Sequence, residues 1–170
     1  DVDFEWMKSR FATPKLMETP GITSTRWFDA VILPQDQIDQ PTKCKGMFVV
    51  GHGGNTVTRM PEAVKALEEL ELLVVADPHP TTYANISNRK NGTYLLPICS
   101  GFATAGSRTA SNRSLQWGEK VVDPIFESRN DYNFMYDLAK RLGFADRMFK
   151  HIRLDQNGAV IVEDILAEMN

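Results

Sequence analysis

No apolar run in this chain approaches the ~18 residues that a membrane-crossing helix needs, so no membrane span is expected. Charge of one sign is not in excess either. The 19 Lys and Arg against 22 Asp and Glu leave a net charge of −3, which argues against a basic face for nucleic acid. Cysteine is scarce. Cys44 and Cys99 form no C-x-x-C pair and no disulfide framework, and each reads as a small packed side chain. Also missing are a nucleophile elbow, an H-E-x-x-H pair, a Walker A loop and a G-x-G-x-x-G turn. His52 and His79 stand in loops with no acid or cysteine at ligand spacing, so no metal site is expected. No signal peptide is visible. The chain opens without an initiator Met and stops on "DILAEMN" with no helix-ending glycine or proline. The expectation is an internal piece of a longer polypeptide.

What is present is an ordinary globular composition. The 170 residues are 42% hydrophobic and 24% charged, enough for a core. Residues 2–11 carry Phe4, Met7 and Phe11 at helical spacing. Residues 12–46 are rich in loops and prolines, with a short helical turn at "STRWFDAVI" for which Ser24 or Thr25 is the candidate N-cap. "MFVV" (47–50) predicts a strand buried on both faces. "PEAVKALEEL" (61–70) predicts a helix with Pro61 in its first turn and Ala63, Val64 and Leu67 on one stripe. "LLVVAD" (72–77) is a second strand and "TYLLPI" (93–98) a third. "SLQWGEKVV" (114–122) reads as an edge strand or an extended arm. "DYNFMYDLAKRLGF" (131–144) is the clearest helix, with Phe134, Met135, Leu138 and Leu142 as its stripe and Gly143 where a C′ glycine belongs. Short helices at "ADRMFKHI" and "VEDILAEM" follow. Strands alternating with helices imply an α/β fold with an open parallel sheet, Rossmann-like and three-layered.

The stretch "MFVVGHGGNTVTR" places a glycine-rich loop between strand and helix. Ligands of open α/β sheets lie outside the carboxyl ends of the strands. Gly51, Gly53 and Gly54 offer backbone amides without side-chain bulk, and the following helix adds its positive end. Asn55, Thr56 and Thr58 add neutral donors, and Arg59 a charged fork suited to phosphate. Asp77 closes the second strand, where a carboxylate accepts from a ribose or a base. The alternative reading is that this loop only turns the chain. Three N-x-S/T sequons, at Asn85, Asn91 and Asn112, are short motifs with nothing else to support glycosylation.

Taken in order, "GHGGNTVTR", "LLVVADPHPT", "NGTYLLP" and "GSRTASNRSLQW" followed by "EKVVDPIFESRNDY" and "LAKRLGF" resemble the catalytic (alpha) subunit of molybdenum- or tungsten-dependent formate dehydrogenases. These belong to the bis-molybdopterin guanine dinucleotide oxidoreductases. The resemblance is strongest from Met47 to Phe144. It departs from the common pattern at Gly51–Gly54 and at "NGTYLLP", where Asn91 or Gly92 replaces an acid. It implies that the loop carrying Gly51, His52, Asn55, Thr56, Thr58 and Arg59 lies against the cofactor's diphosphate and guanosine, and that Asp77 with Thr81 reads ribose or guanine. Asn112, Arg113 and Gln116 would contact the cofactor near the active-site funnel. It implies a division into a lead-in (1–46), a cofactor-nucleotide domain (47–144) and a helical extension (145–170), and a larger multidomain subunit around them.

The resemblance further implies oxidation of formate to CO2 by the full enzyme. It implies 4Fe-4S clusters outside this chain, the remaining domains of the subunit and an iron–sulfur electron-transfer subunit as partners, and anaerobic respiration as the setting. Neither cysteine matches the metal-ligating position, so no catalytic residue and no activity are expected of this chain alone. A periplasmic, membrane-associated complex is favoured over a cytoplasmic enzyme. The alternatives are another molybdopterin oxidoreductase, of nitrate or polysulfide reductase type, and a stand-alone α/β nucleotide-binding protein.

Overall fold

The computed structural model describes residues 3–9, 14–18 and 21–169. Its elements are α1 (Phe4–Ser9), α2 (Lys15–Glu18), α3 (Asp29–Ile32), β1 (Gly46–Val50), α4 (Met60–Glu69), β2 (Leu72–Asp77), α5 (Thr82–Asn85), β3 (Tyr94–Pro97), β4 (Gly106–Thr109), β5 (Leu115–Gly118), α6 (Asp131–Arg141), α7 (Ala145–Met148) and α8 (Val162–Met169). The class is the expected α/β, with a parallel sheet ordered β1-β2-β3 and a separate antiparallel hairpin of β4 and β5. No helix among the described residues is long and apolar enough to cross a membrane. The chain divides into two compact units. One holds the described residues of Asp1–Met47 with Asn55–Leu73 and Ile86–Gly92. The other holds Phe48–Gly54, Val74–Asn85 and the described residues of Thr93–Asn170.

In the first unit the core is Phe28, Ala30 and Val31 against Ala63, Ala66, Leu67 and Leu70. The spacing 63, 66, 67, 70 is one face of a helix. Ala66, rather than the expected Val64, completes that stripe, and Val64 is half-buried. Pro61 sits in the first turn of α4, where its missing N–H is not needed. The last turn leaves carbonyls unpaired, as every helix does. Arg89 takes up two of them: its guanidinium donates to Leu67 O and to Leu70 O at 2.9 Å, and also to Gly92 O, in the loop before β3, at 2.7 Å. The turn of residues 24–28 delays α3, whose N-cap is Phe28 with no side-chain cap. Neither Ser24 nor Thr25 fills that role. A short helix, α2, lies inside the segment expected to be loop. The helical reading of 2–11 overlaps α1, and residues 2, 10 and 11 lie outside the described residues.

In the second unit β2 is the central strand, and Val74, Val75 and Ala76 are all buried. It is β2, not β1, that is buried on both faces. β1 lies at the sheet's edge, where Val49 is buried and Phe48 is 45% exposed. β3, the other flank, exposes Tyr94 and Leu95. Val74 stands opposite Tyr94, and the register runs through to Asp77 opposite Pro97. Beyond β3 the chain segment at Arg129 continues the sheet: Ile98 bridges it in parallel, and Cys99 N–H donates to Arg129 O at 2.8 Å. That pairing carries the start of α6 to the carboxyl end of β3.

α6 is closed at both ends, at its C-terminus by the glycine expected there. Asn130 Oδ1 accepts Asn133 N–H at 2.8 Å. Gly143, at φ +79°, donates to Lys140 O, and Phe144 N–H returns to Ala139 O, the two bonds of a Schellman motif. On its apolar face Ala139 is fully buried, while Phe134 and Leu138 line a cavity of about 610 Å³ with Leu96 and Ile98. Leu142, expected on that face, is 63% exposed. α8 is anchored by Asp164, which accepts from the Arg153 backbone at 2.9 Å and from its guanidinium at 2.8 and 2.9 Å.

Candidate functional site

The glycine loop leaves β1 and is bonded at once to its neighbours. Gly51 N–H donates to Ala76 O at 3.0 Å, one residue before Asp77. Gly53 O accepts Thr82 N–H at 3.1 Å, one residue after Thr81. Gly51–Gly54, Asp77 and Thr81 are thus brought together at the carboxyl ends of β1 and β2. Gly51 and Gly54 both adopt left-handed backbone, at φ +60° and +76°. Gly54 meets a second demand. A Cβ there would lie 2.5 Å from the Tyr83 ring, so the buried phenol closes against bare backbone. Gly54 N–H donates to His52 Nδ1 at 3.0 Å, and the exposed His52 ring sits 5.8 Å from that of Tyr83.

Asp77 Oδ1 accepts His79 N–H at 3.3 Å, a turn that holds the loop after β2. A cavity of about 190 Å³ opens beside Asp77, walled by Pro78, Pro80, Leu95 and Pro97. Thr81 Oγ1 is buried and has no hydrogen-bond partner. The first residue of α6, Asp131, belongs to the same neighbourhood. Burial, and then the Asp77 carboxylate, push its carboxyl above the ordinary carboxylate range. Burial likewise pushes the Cys99 thiol up, with Asp131 adding to it. Neighbouring carboxyl groups, Asp77 at the end of β2 and Asp131 at the start of α6, suit a ligand edge rich in N–H or O–H donors and disfavour an anion there.

Asn55, Thr56, Thr58 and Arg59 belong to the first unit, and all four are exposed. The Arg59 fork is engaged there. Nη1 lies 3.3 Å from Asp29 Oδ1, Nε lies 3.2 Å from Glu62, and the guanidinium stands 4.8 Å from the centre of the Phe28 ring. Asp29 is nearly inaccessible, and Arg26 holds it more tightly, at 2.7 Å. Arg59 itself has a left-handed backbone at φ +53° as N-cap of α4.

Asn112, Arg113 and Gln116 fall on the β4–β5 hairpin. Asn112 Oδ1 accepts Ser114 N–H at 3.1 Å, and Arg113, at φ +64°, makes the turn. All three side chains are exposed, and Gln116 pairs in register with Arg108. The Arg108 guanidinium lies close to Gly101 and Gly118, where an added Cβ would come within 2.7 and 2.8 Å of its nitrogens. No group of three or more His, Cys, Asp or Glu among the described residues is placed to hold a metal ion. Tyr83, Asp131 and Asp29 are not singled out by the sequence. Only the "RND" start of α6 carried a local signal, an N-cap followed by an acid. The others act through contacts distant in sequence.

Comparison with known proteins supplies the family. The model of the family described as "Molybdopterin oxidoreductase" matches residues 29–141, more than half of the chain. The "Probable oxidoreductase YyaE" of Bacillus subtilis (strain 168) is 28% identical over 141 residues, covering 80% of this chain and 20% of that protein. The "Dimethyl sulfoxide/trimethylamine N-oxide reductase" of Cereibacter sphaeroides is 34% identical over 83 residues, 47% of this chain and 10% of that protein. Among solved structures, acetylene hydratase from Pelobacter acetylenicus shares the fold at a TM-score of 0.54 and 21% identity, over 71% of this chain and 16% of that one. The chain thus spans a fifth or less of the length of these relatives. It belongs to the molybdopterin oxidoreductase family.

Proposed function

We propose that this chain forms part of the surface of a molybdopterin oxidoreductase that holds the guanine nucleotide end of a bis-molybdopterin guanine dinucleotide cofactor. One observation carries the reading: the buried, unpartnered Thr81 Oγ1 beside a glycine loop at the carboxyl edge of the sheet. A buried hydroxyl without a partner costs free energy that a ligand oxygen or N–H recovers. The residues fit such a group by chemistry. The loop contributes donors toward a diphosphate. Asp77 and Asp131 contribute acceptors toward the N–H edge of guanine or the hydroxyls of ribose, and the prolines beside Asp77 exclude water from one face of a ring. When bound, the pterin-held molybdenum or tungsten supplies a two-electron redox centre.

The test is Asp77→Ala in the full-length polypeptide, with cofactor content and melting temperature measured together. Cofactor occupancy is expected to fall by about tenfold, the loss of a hydrogen bond to a charged group. The melting temperature should move little, because a half-exposed acid at the end of a strand contributes little to a core. Full cofactor loading would defeat the reading.

Formate is the proposed substrate, on the strength of "TASNRSLQW" and "DPIFESR". In this reading electrons leave through 4Fe-4S clusters outside the chain to an iron–sulfur subunit, in a complex facing the periplasm. A second reading is reduction of a sulfoxide or N-oxide, favoured by the 34% identity to the Cereibacter sphaeroides enzyme. Assay of the full-length polypeptide with formate and an oxidised dye, against dimethyl sulfoxide and a reduced dye, separates them. Turnover of dimethyl sulfoxide alone would replace the first reading with the second.

A further inference from the structure

We propose that His52 is fixed as its Nε2–H tautomer by the glycine loop, and that His52 Nε2–H with Gly53 N–H forms the donor pair this loop presents to a phosphoryl oxyanion. The identity of the ligand rests on the function proposed above. The tautomer and the choice of donors rest on geometry alone.

The loop has three glycine amides, and two are already engaged. Gly51 N–H is held by Ala76 O and Gly54 N–H by His52 Nδ1, both at 3.0 Å. Neither reaches a ligand unless a bond at the optimum length is broken. Gly53 N–H has no acceptor among the described residues, and its own carbonyl is anchored by Thr82 N–H. The left-handed turn at Gly54 serves Tyr83, whose ring occupies the space of a Cβ.

The tautomer follows from the donor's chemistry. A backbone N–H can only donate, so Nδ1 must present its lone pair, and a neutral imidazole then carries its proton on Nε2. A ring protonated on both nitrogens would meet the Gly54 N–H with another N–H. The His52 ring lies in the exposed loop against the Tyr83 ring, tilted by 54°. His52 thus positions the loop with one nitrogen and faces solvent as a neutral donor with the other.

The test uses the ¹⁵N-labelled chain in NMR. The His52 ring is expected to show a protonated Nε2 and an unprotonated Nδ1, and the opposite tautomer overturns the inference. Titration with inorganic phosphate should shift the His52 Nε2 and Gly53 amide signals while Gly51 and Gly54 amides keep their protection from exchange. A shift led by the Gly51 and Gly54 amides, or no shift at high millimolar phosphate, also overturns it. His52→Phe keeps a ring for Tyr83 but no nitrogen, and should weaken phosphate by about tenfold. His52→Asn can accept Gly54 N–H as an Asx turn does and still donate, and should restore most of that loss. Unchanged phosphate binding in His52→Phe sinks the proposal. Guanosine diphosphate separates the two readings. Phosphate shifts at His52 and Gly53 without any added affinity from the nucleoside would defeat the guanosine assignment and leave the donor pair standing.

Discussion

Gly51 and Gly54 share a left-handed backbone but not an environment. Around Gly51 an added Cβ meets nothing within 4 Å, whereas at Gly54 it meets Tyr83. Gly51→Ala therefore carries only the left-handed penalty of about 1 kcal/mol. Gly54→Ala adds a clash with a buried ring, for a total of about 3 kcal/mol. In thermal unfolding the losses should be about 3 °C and about 9 °C. Equal losses would mean that Tyr83 does not occupy that space. Arg59 makes a different point. Its contacts to Asp29 and Glu62 run from 3.2 to 3.5 Å, all longer than the 2.7 Å of Arg26 to the same aspartate. Arg26→Ala should destabilise the first unit more than Arg59→Ala, as comparative melting of the two variants would reveal.

At the level of elements, the clamps at helix ends are the places to probe. Arg89→Leu leaves three carbonyls without their donor, two at the end of α4 and one in the loop before β3, a cost of about 3 kcal/mol. Arg89→Lys should recover only part of it, since one ammonium cannot reproduce a planar fork. Asn130→Ala removes the cap of α6 and should cost about 1 kcal/mol. The anchor of α8 depends on pH. The Arg153 side chain first, then its backbone N–H, hold the Asp164 carboxyl down at about 2 from an ordinary 3.8. A depressed carboxylate contributes stability that is complete above 3.8 and lost as pH falls towards 2. Acid unfolding of Asp164→Asn should lack that component, and a wild-type profile in the variant would remove Asp164 from the account.

These elements also mark what could be read without coordinates. The α6 helix is legible to its C-terminal glycine, Gly143, whereas the Asn130 cap emerges from the bond it makes to Asn133. β2 was legible as a continuous apolar run. The burial of β1 was not, because "MFVV" and "LLVV" look alike, and only strand order makes one an edge and the other a centre. The hairpin was half visible: "SLQW" was read as extended, but its partner "GSRT" carries no alternation to announce it. Within the site, the glycine loop and Asp77 stood out by composition. The engagement of two of its three amides did not, because it depends on Ala76 and on the ring of His52.

For the whole molecule, the family is molybdopterin oxidoreductase, and the reaction and its substrate are left to assay of the full-length polypeptide. This chain carries no residue assigned to a redox step, so the purified 170-residue polypeptide should reduce no dye when given formate. Measurable turnover above a blank would require a catalytic group among these residues. The order β1-β2-β3 has a further consequence for affinity. Nucleotide crevices in doubly wound sheets open where the winding reverses direction and adjacent loops part to opposite sides. Three strands laid down in sequence never double back, so the described sheet contains no such reversal. A nucleotide held as proposed at this edge would rest across loop tips with one wall, and one-walled binding retains the full entropic cost of association. Guanosine diphosphate should therefore exchange fast on the NMR timescale with this chain, at a millimolar dissociation constant or weaker. Slow exchange would mean that these strands enclose it without help.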